Sequence, residues 1–320
     1  MKLITDLVDR IRSRSQSLDF ENESQDWKDM VRNGGSLNQV DVDNGVNGWA
    51  SPPANLFNVR GSGYFSKKQK VPSAQSLLKP LGVDLLKSNA MLHHVLSSPN
   101  NRALKALAAV QSKSQRSKSF LFAVNLQFPS KEHHSLVFYF VMEEPISSNS
   151  LLYRFIHEDD AFRDSRLKLM SRVVRGPWIV KTAVGNHSAC LLGKALTCRY
   201  MKGQNYLEID VDIGSSAVAS YILHLALGSV GSLTLDMAFL IEARTDEELP
   251  ERVLGAVRMA QIKMDSAVFV DSSPVDCSSA AATAATRHNI SRGLSLRGHS
   301  MKTAKVDDEQ TNFRRSNKCF

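Results

Sequence analysis

The residues best placed to do chemistry lie in one short stretch, Tyr206–Ile213, where carboxylates alternate with apolar side chains. A period of two is typical of a β-strand with one buried face. Glu208, Asp210 and Asp212 would then project together from the other face, about 7 Å apart along the strand. Three such acids could hold a cation, act as general bases or form ion pairs with basic side chains.

We predict the structural role for these acids. If Met201 pairs with Tyr206 across the turn, Arg199 lies opposite Glu208 and neutralises it. A calcium site needs about six to eight oxygen ligands, which one strand cannot supply. The predicted structural ion-pair network consists of Arg199, Glu208, Asp210 and Asp212. The alternative is a metal-dependent enzyme that uses Glu208, Asp210 and Asp212.

No other catalytic pattern is present in the sequence. It contains no G-x-S-x-G nucleophile elbow, no Walker loop and no G-x-G-x-x-G motif. Neighbouring histidines such as His93-His94 diverge on either a strand or a helix, so they chelate a metal poorly. The four cysteines lack C-x-x-C spacing. We therefore predict a protein that is not an enzyme and has no cofactor or bound metal.

The basic character of the chain lies in its middle. The net charge is +8, and residues 46–269 carry it because the two terminal segments cancel each other. A basic folded region favours an anionic partner such as a phosphoinositide, a membrane surface or nucleic acid. We do not predict nucleic-acid binding, because no recognition helix or exposed aromatic pattern is evident. A basic domain without such a partner is the alternative. The predicted headgroup-binding residues are Arg60, Lys67, Lys68, Lys70, Arg163, Arg166 and Lys168.

The elements that must position these residues indicate an α+β fold. Apolar runs separated by short turns predict a curved antiparallel sheet packed by helices. The predicted strands include Phe120–Phe128, Leu136–Met142 and Ile179–Val184. The predicted helices include Leu104–Val110, residues 217–228, and one that begins at Glu248. The uncharged interval between Asp212 and Asp236 contains serines and glycines, so we predict a buried helix and a strand there rather than a membrane span.

Both ends of the chain are predicted to be disordered. Residues 1–45 are polar and include a glycine-rich linker, and residues 270–320 are rich in Ser, Ala and Thr. The compact domain is therefore placed at residues 46–269. Ser17 and Ser295 follow arginines at spacings that suit basophilic kinases, so they are candidate phosphorylation sites. The polar N-terminus is unlike a signal peptide, which indicates a cytoplasmic protein.

A series of short motifs, in order along residues 49 to 265, resembles the plant Enhanced Disease Resistance protein C-terminal domain family. The motifs include Trp49-Ala50-Ser51-Pro52, Phe57-Asn58-Val59-Arg60-Gly61, Gly176-Pro177-Trp178, Tyr206-Leu207-Glu208-Ile209-Asp210 and Glu248-Leu249-Pro250-Glu251-Arg252. The resemblance implies a regulatory protein linked to defence and cell-death control. In larger members this domain follows a pleckstrin-homology domain and a START lipid-transfer domain, and we expect neither here.

The predicted function is a non-catalytic regulatory module that binds a lipid or an anionic membrane surface in the cytoplasm, as a peripheral membrane protein. A helix-grip, START-like cavity is a hypothesis by analogy with the domains that accompany this family. A kinase or another regulatory protein is a further candidate partner. Besides the metal-dependent enzyme, the remaining alternative is a protein-interaction scaffold that works through its disordered tails.

Overall fold

Two six-stranded β-sheets face each other across one apolar core, and helices pack on their edges and outer surfaces. The computed structural model describes residues 27–113, 119–129, 132–185 and 188–271. These residues lie within a single compact unit. The predicted α+β class is confirmed, and the sheets are curved and unclosed.

The first sheet, sheet A, has the strand order β10-β11-β6-β7-β5-β14. Its strands are Lys79–Ser88 (β5), Phe120–Phe128 (β6), His133–Met142 (β7), Thr197–Lys202 (β10), Tyr206–Asp212 (β11) and Val268–Phe269 (β14). Most neighbours are antiparallel, but β11 runs parallel to β6 and β14 runs parallel to β5. Sheet A is thus mainly antiparallel, as predicted, with two parallel pairs.

The second sheet, sheet B, has the order β1-β2-β13-β12-β8-β9. Its strands are Asn38–Gln39 (β1), Gly48–Ala50 (β2), Leu167–Arg175 (β8), Ser188–Leu191 (β9), Thr234–Ile241 (β12) and Val253–Ala260 (β13). Asn58–Arg60 (β3) and Lys70–Pro72 (β4) form a small antiparallel pair of their own. Bulges interrupt the register of β12 on both sides, which is a common way to curve a sheet.

The described residues include eight helices, most of them short. Residues 27–33 form α1. The others are Tyr64–Lys67 (α2), Arg102–Lys113 (α3), Leu151–His157 (α4), Asp160–Asp164 (α5), Trp178–Val184 (α6), Leu192–Ala195 (α7) and Ala217–Leu227 (α8). No helix in the described part of the chain combines the length and the apolar character needed to cross a bilayer.

Alternation along the strands builds the central core. Every second residue of β11, namely Leu207, Ile209 and Val211, points between the sheets and is buried. Phe138 and Phe140 of β7 meet Phe239 of sheet B edge-on or tilted, which joins the two layers. Opposite Phe140, strand β13 carries Gly255, where a Cβ would overlap with the ring of Phe140.

The outer surface of each sheet is also covered. On sheet A, helices α1 and α3 pack through Trp27, Val31, Leu107 and their neighbours over the outward side chains of β6 and β7. On sheet B, the β3–β4 pair and its flanking turn cover outward residues such as Ala238 and Leu240. The central strands are therefore buried on both faces.

The N-terminal boundary of the domain differs from the prediction. Residues 27–45 were predicted to be part of a disordered segment, but Trp27, Val31 and Leu37 are completely or almost completely buried. A Ser36 backbone N–H donates to Asp84 Oδ1 at 2.8 Å, which fixes the segment to β5. These contacts were not predicted because only a few apolar residues make them, and the segment is polar in its overall composition. Residues 1–26 and 272–320 lie outside the described part of the chain, and with them the candidates Ser17 and Ser295.

Two predicted elements have the opposite type. The predicted strand Ile179–Val184 is helix α6, which starts after Pro177 and buries Val180 and Val184 one turn apart. The predicted helix after Glu248 is a 3-10 turn, Asp246–Glu248, followed by strand β13. Because β13 is buried along its whole length on both faces, its apolar run has no readable period.

Candidate functional site

A cavity of about 210 Å³ lies between the two sheets. Sheet A contributes Leu85, Leu126, Phe128 and Leu136 to its wall. Sheet B contributes Leu169, Ser171, Cys190, Leu235, Met237 and Met259. The wall residues on β6 and β12 belong to the inward-facing half of each strand, so the cavity is continuous with the central core.

Helix α8 closes one side of the cavity. Its inner face contributes Ala219, Ile222, Leu223, Ala226 and Leu227. The side chain of Ser216 caps the helix by accepting a hydrogen bond from the N–H of Ala219. The predicted helix is therefore confirmed at Ala217–Leu227, but the prediction that it is buried is wrong, because Ala219 is the one residue of this helix that is buried. The helix covers a space rather than a filled core.

The cavity wall is almost entirely apolar. Among its described lining residues, Ser171 carries a hydroxyl and Cys190 a thiol, and none carries a formal charge. An apolar wall cannot satisfy the polar groups of a hydrophilic ligand, so such a ligand would be bound poorly. The chemistry that fits is an apolar chain or ring, with Ser171 available for one hydrogen bond.

The acidic residues of β11 lie on the opposite face of sheet A from the cavity, and two of them are buried. Glu208 and Asp210 are 0% and 1% exposed. The N–H groups of Val95 and Leu96 donate to the two oxygens of Glu208, at 2.6 and 2.8 Å. The predicted β11 strand and its alternation are confirmed, but a chain segment covers the acidic face.

Asp210 holds the same segment, residues 92–97. It accepts hydrogen bonds from the N–H of His94 at 3.0 Å and from Asn125 Nδ2 at 2.9 Å. Asn125 and Gln127 on the parallel strand β6 also donate to the carbonyl oxygen of Leu92. Neighbouring polar side chains on two strands thus fasten one loop to the sheet. We call this arrangement, made by Glu208, Asp210, Asn125 and Gln127, the loop clamp.

The predicted partner of these acids is corrected. The register places Arg199 opposite Asp210 and Met201 opposite Glu208, so Arg199 does not face Glu208. Arg199 Nη1 lies 3.5 Å from His93 Nε2, and His93 Nδ1 lies 3.3 Å from Asp210. Backbone N–H groups, rather than guanidinium groups, satisfy Glu208. The sequence could not reveal this because a loop more than 100 residues away supplies the donors.

Burial changes the acidity of this cluster. Loss of solvent, followed by the neighbouring charge of Asp210, raises the pKa of Glu208 from 4.5 to about 8. The two N–H donors from the loop oppose this shift without cancelling it. Burial also lowers the pKa of His94. In residues 27–271, among those described, no group of three or more His, Cys, Asp or Glu is arranged to hold a metal ion.

Four of the seven predicted headgroup-binding residues are paired within the fold. Lys168 is buried against Glu251, with Nζ 2.7 and 2.8 Å from its two oxygens. Arg166 pairs with Glu248 at 2.6 Å. Arg60 pairs with Glu242, and Arg163 pairs with Asp160. Since these four cations are already neutralised, only three of the seven predicted residues remain available for a headgroup contact.

Lys67, Lys68 and Lys70 are those three, and they are exposed. They lie at the end of α2 and the start of β4. The ammonium of Lys68 also sits over the ring of Tyr64, 5.4 Å from its centroid. Their predicted role in headgroup binding stays a prediction.

The cavity residues are the part of the site that the sequence did not reveal. An apolar residue that lines an empty space has the same periodicity as one that fills a core. The one available signal was the uncharged interval around α8, which is more apolar than a surface helix requires.

Burial raises the pKa of Cys198 to about 12, which agrees with a thiol that is not reactive.

Comparisons with known proteins assign the chain to a family. The family model described as Protein ENHANCED DISEASE RESISTANCE 2, C-terminal, matches residues 49–263. The chain is 43% identical over 234 residues to Protein ENHANCED DISEASE RESISTANCE 2-like from Arabidopsis thaliana. The aligned region covers 73% of this chain and 31% of that protein. The chain thus spans about a third of the length of this curated relative. No solved structure matches the chain. The resemblance seen in the short motifs is confirmed, and the chain belongs to the ENHANCED DISEASE RESISTANCE 2 C-terminal family.

Proposed function

We propose that this domain binds the apolar part of a lipid in the cavity between its sheets and works as a non-catalytic regulatory module in plant defence. One observation carries the proposal: a cavity of about 210 Å³ whose described wall holds no charged group. The name of the family and of the Arabidopsis relative supports the link to disease resistance.

The energetics of packing support a ligand. Apolar side chains around an unfilled space lack packing partners on one side, which costs stability. Larger side chains on α8 could fill the space, yet the helix carries Ala219 and Ala226 there. An apolar occupant would restore the missing contacts.

The chemistry of the wall narrows the ligand class. A preformed apolar pocket with one or two polar groups is typical of a small-molecule site. The hydroxyl of Ser171 can orient one polar group of the ligand, while the remaining surface accepts an acyl chain or an apolar ring. The loop clamp lies on the other face of sheet A, and its acids accept hydrogen bonds from backbone N–H groups, which favours a structural rather than a catalytic role.

The proposed setting is the cytoplasm, with reversible attachment to membranes. A basic middle region and an apolar cavity suit a protein that takes a lipid from an anionic surface. A lipid and its membrane are therefore the proposed partners.

A binding titration tests the proposal. Delipidated protein of residues 1–320 is titrated with cis-parinaric acid, a fatty acid that fluoresces when it is in an apolar site. We expect saturable binding to the original chain. Ala226→Phe places a ring inside the cavity and should abolish binding. Ala217→Phe adds the same ring at an exposed position of the same helix and should leave the affinity unchanged.

The comparison of the two variants shows whether the fatty acid binds in the cavity or elsewhere on the protein. Equal binding by both would mean that the fatty acid sits elsewhere, and no binding to the original chain would remove the lipid-binding function. Circular dichroism of each variant checks that the fold is intact.

A further inference from the structure

Helix α8 carries apolar side chains on its outer side as well as on the face that lines the cavity, although His224 is exposed too. The helix contains no Asp, Glu, Lys or Arg, and its outward residues Val218 and Tyr221 are 53% and 61% exposed. A surface helix normally carries polar residues on its solvent side, and a helix that is apolar all round is normally buried. Something apolar is therefore expected to cover this face.

Helix α6 lies against α8 and also carries exposed apolar side chains. It packs against α8 through a cluster that includes Val180, Val184 and Ile222. At its N-terminal end Trp178 is 76% exposed and Ile179 is 43% exposed. Together with Val218 and Tyr221 these two residues define what we call the α6–α8 face.

The side chains on this face are those that favour a membrane interface. Tryptophan and tyrosine concentrate at the boundary between headgroups and acyl chains, because one end of each ring is polar and the rest is apolar. The other two tryptophans of the chain, Trp27 and Trp49, are buried. Trp178 is thus the exposed tryptophan of the protein, beside the helix that covers the cavity.

The charge around this face complements an anionic bilayer. Arg175 and Lys181 are exposed on either side of Trp178. No Asp or Glu occurs between residues 165 and 207, or between residues 213 and 235. The segments that form the face therefore carry cations without acidic neighbours in sequence, which attracts a negative surface.

We propose that the α6–α8 face docks onto an anionic lipid bilayer, with Trp178 and Tyr221 at the level of the headgroups and Arg175 and Lys181 against lipid phosphates. The proposal rests on the proposed function, because docking would bring the outer face of α8 into the bilayer while its inner face covers the lipid cavity. A lipid could then pass between bilayer and cavity next to this helix.

Tryptophan fluorescence and co-sedimentation test the docking directly. The chain of residues 1–320 is mixed with vesicles of phosphatidylcholine, or of phosphatidylcholine with phosphatidylserine. We expect co-sedimentation and a blue shift of emission only with the anionic vesicles, and quenching when the lipids carry bromine in their acyl chains. Trp178→Phe should still pellet but lose the shift, because the two buried tryptophans remain unaffected.

Paired variants locate the contact. Trp178→Ala combined with Tyr221→Ser should weaken vesicle binding by about tenfold or more, since affinity scales with the apolar area inserted. The control is Met30→Ala, which removes an exposed apolar side chain from α1. Arg175→Glu with Lys181→Glu should also weaken binding by about tenfold. Lys67→Glu with Lys70→Glu should have a smaller effect.

Several results would overturn the proposal. One is loss of binding in the Lys67 and Lys70 variant with full binding in the Trp178 and Tyr221 variant. Another is a blue-shifted Trp178 without vesicles, which would mean that the chain's own terminal segments or a second copy cover the face; dilution separates these two. Binding of cis-parinaric acid is measured in parallel. Unchanged fatty-acid binding with absent vesicle binding rejects the docking face alone, whereas absent fatty-acid binding rejects the lipid cavity.

Discussion

Glu208 and Asp210 illustrate how a carboxylate pattern that suggests catalysis can serve a structural purpose. Their oxygens accept hydrogen bonds from the backbone N–H groups of residues 94–96. These bonds replace the ones that the loop would otherwise make with water. A buried carboxyl group remains costly to ionise even with such donors. The loop clamp therefore couples the attachment of a surface segment to protonation.

The stability of the fold should depend on pH through Glu208. Folding raises the pKa of Glu208 from 4.5 to about 8, so the native state keeps a proton that the unfolded chain loses within this window. The free energy of unfolding should therefore decrease as pH rises, by about 1–2 kcal/mol between pH 6.5 and 8. Below pH 6.5 the lowered pKa of His94 acts in the opposite direction. Urea unfolding at several pH values measures how the free energy of unfolding depends on pH.

Glu208→Gln provides the control for that measurement. The amide cannot accept hydrogen bonds from both loop N–H groups, so we expect a loss of about 1–3 kcal/mol at every pH. The decline between pH 6.5 and 8 should become much flatter. A variant that keeps the original slope would show that another group is responsible.

Lys168 is expected to matter for stability rather than for membrane binding. Its ammonium is buried against Glu251, so Lys168→Met leaves a buried carboxylate without its closest cation. We expect a loss of about 3 kcal/mol in urea unfolding. Lys67→Met changes an exposed residue in the same way and should cost less than about 0.5 kcal/mol. Equal effects of the two variants would contradict the buried pair.

At the scale of elements, helix α1 shows how a short polar segment becomes part of the core. Only Trp27 and Val31 of this helix are deeply buried, and Leu37 follows just before β1. These three side chains close the outer surface of sheet A and the edge of the central core. Sparse anchors of this kind hold a segment whose overall composition suggests disorder.

Truncation at two positions should separate the anchored residues from those before them. Deletion of residues 1–45 removes Trp27, Val31 and Leu37 together, and each fully buried apolar side chain contributes about 1.5–3 kcal/mol. We expect a loss of about 5 kcal/mol or an insoluble product. Deletion of residues 1–26 keeps all three side chains and should leave the unfolding midpoint nearly unchanged. Similar midpoints for both truncations would argue against the anchoring role of α1.

The elements that could be predicted from the sequence are those with one buried face, because only these show a clear apolar periodicity. Strand β11 has one face toward the opposite sheet, so its alternation was readable, and α8 follows two serines, either of which could cap a helix. Strand β13 was missed because apolar neighbours surround both faces. The register of Arg199 and the donors to Glu208 were missed because distant chain segments determine them. A cavity was hypothesised only by analogy, and its lining residues could not be named because an absence of atoms leaves no pattern in a sequence.

At the scale of the whole molecule, the proposed binding of a ligand in the cavity would make the stability of the fold depend on that ligand. A ligand that binds only the folded state stabilises it by about 2.7 kcal/mol when its free concentration is 100 times its dissociation constant. We therefore expect a long-chain fatty acid to raise the melting temperature of delipidated protein, as measured by calorimetry. Ala226→Phe should start from a different melting temperature and show no further rise. An equal rise in this variant would contradict binding within the cavity.

The parallel pairing of β6 with β11 has a consequence for synthesis of the chain. Strand β6 ends at Phe128, but its second neighbour is complete only at Asp212, so a nascent chain exposes one edge of β6 throughout the intervening translation. An unpaired apolar strand edge can bind other chains and aggregate. Nascent chains that end before Asp212 should therefore depend on chaperones. Incomplete chains released from ribosomes that stall in this interval should be prone to degradation.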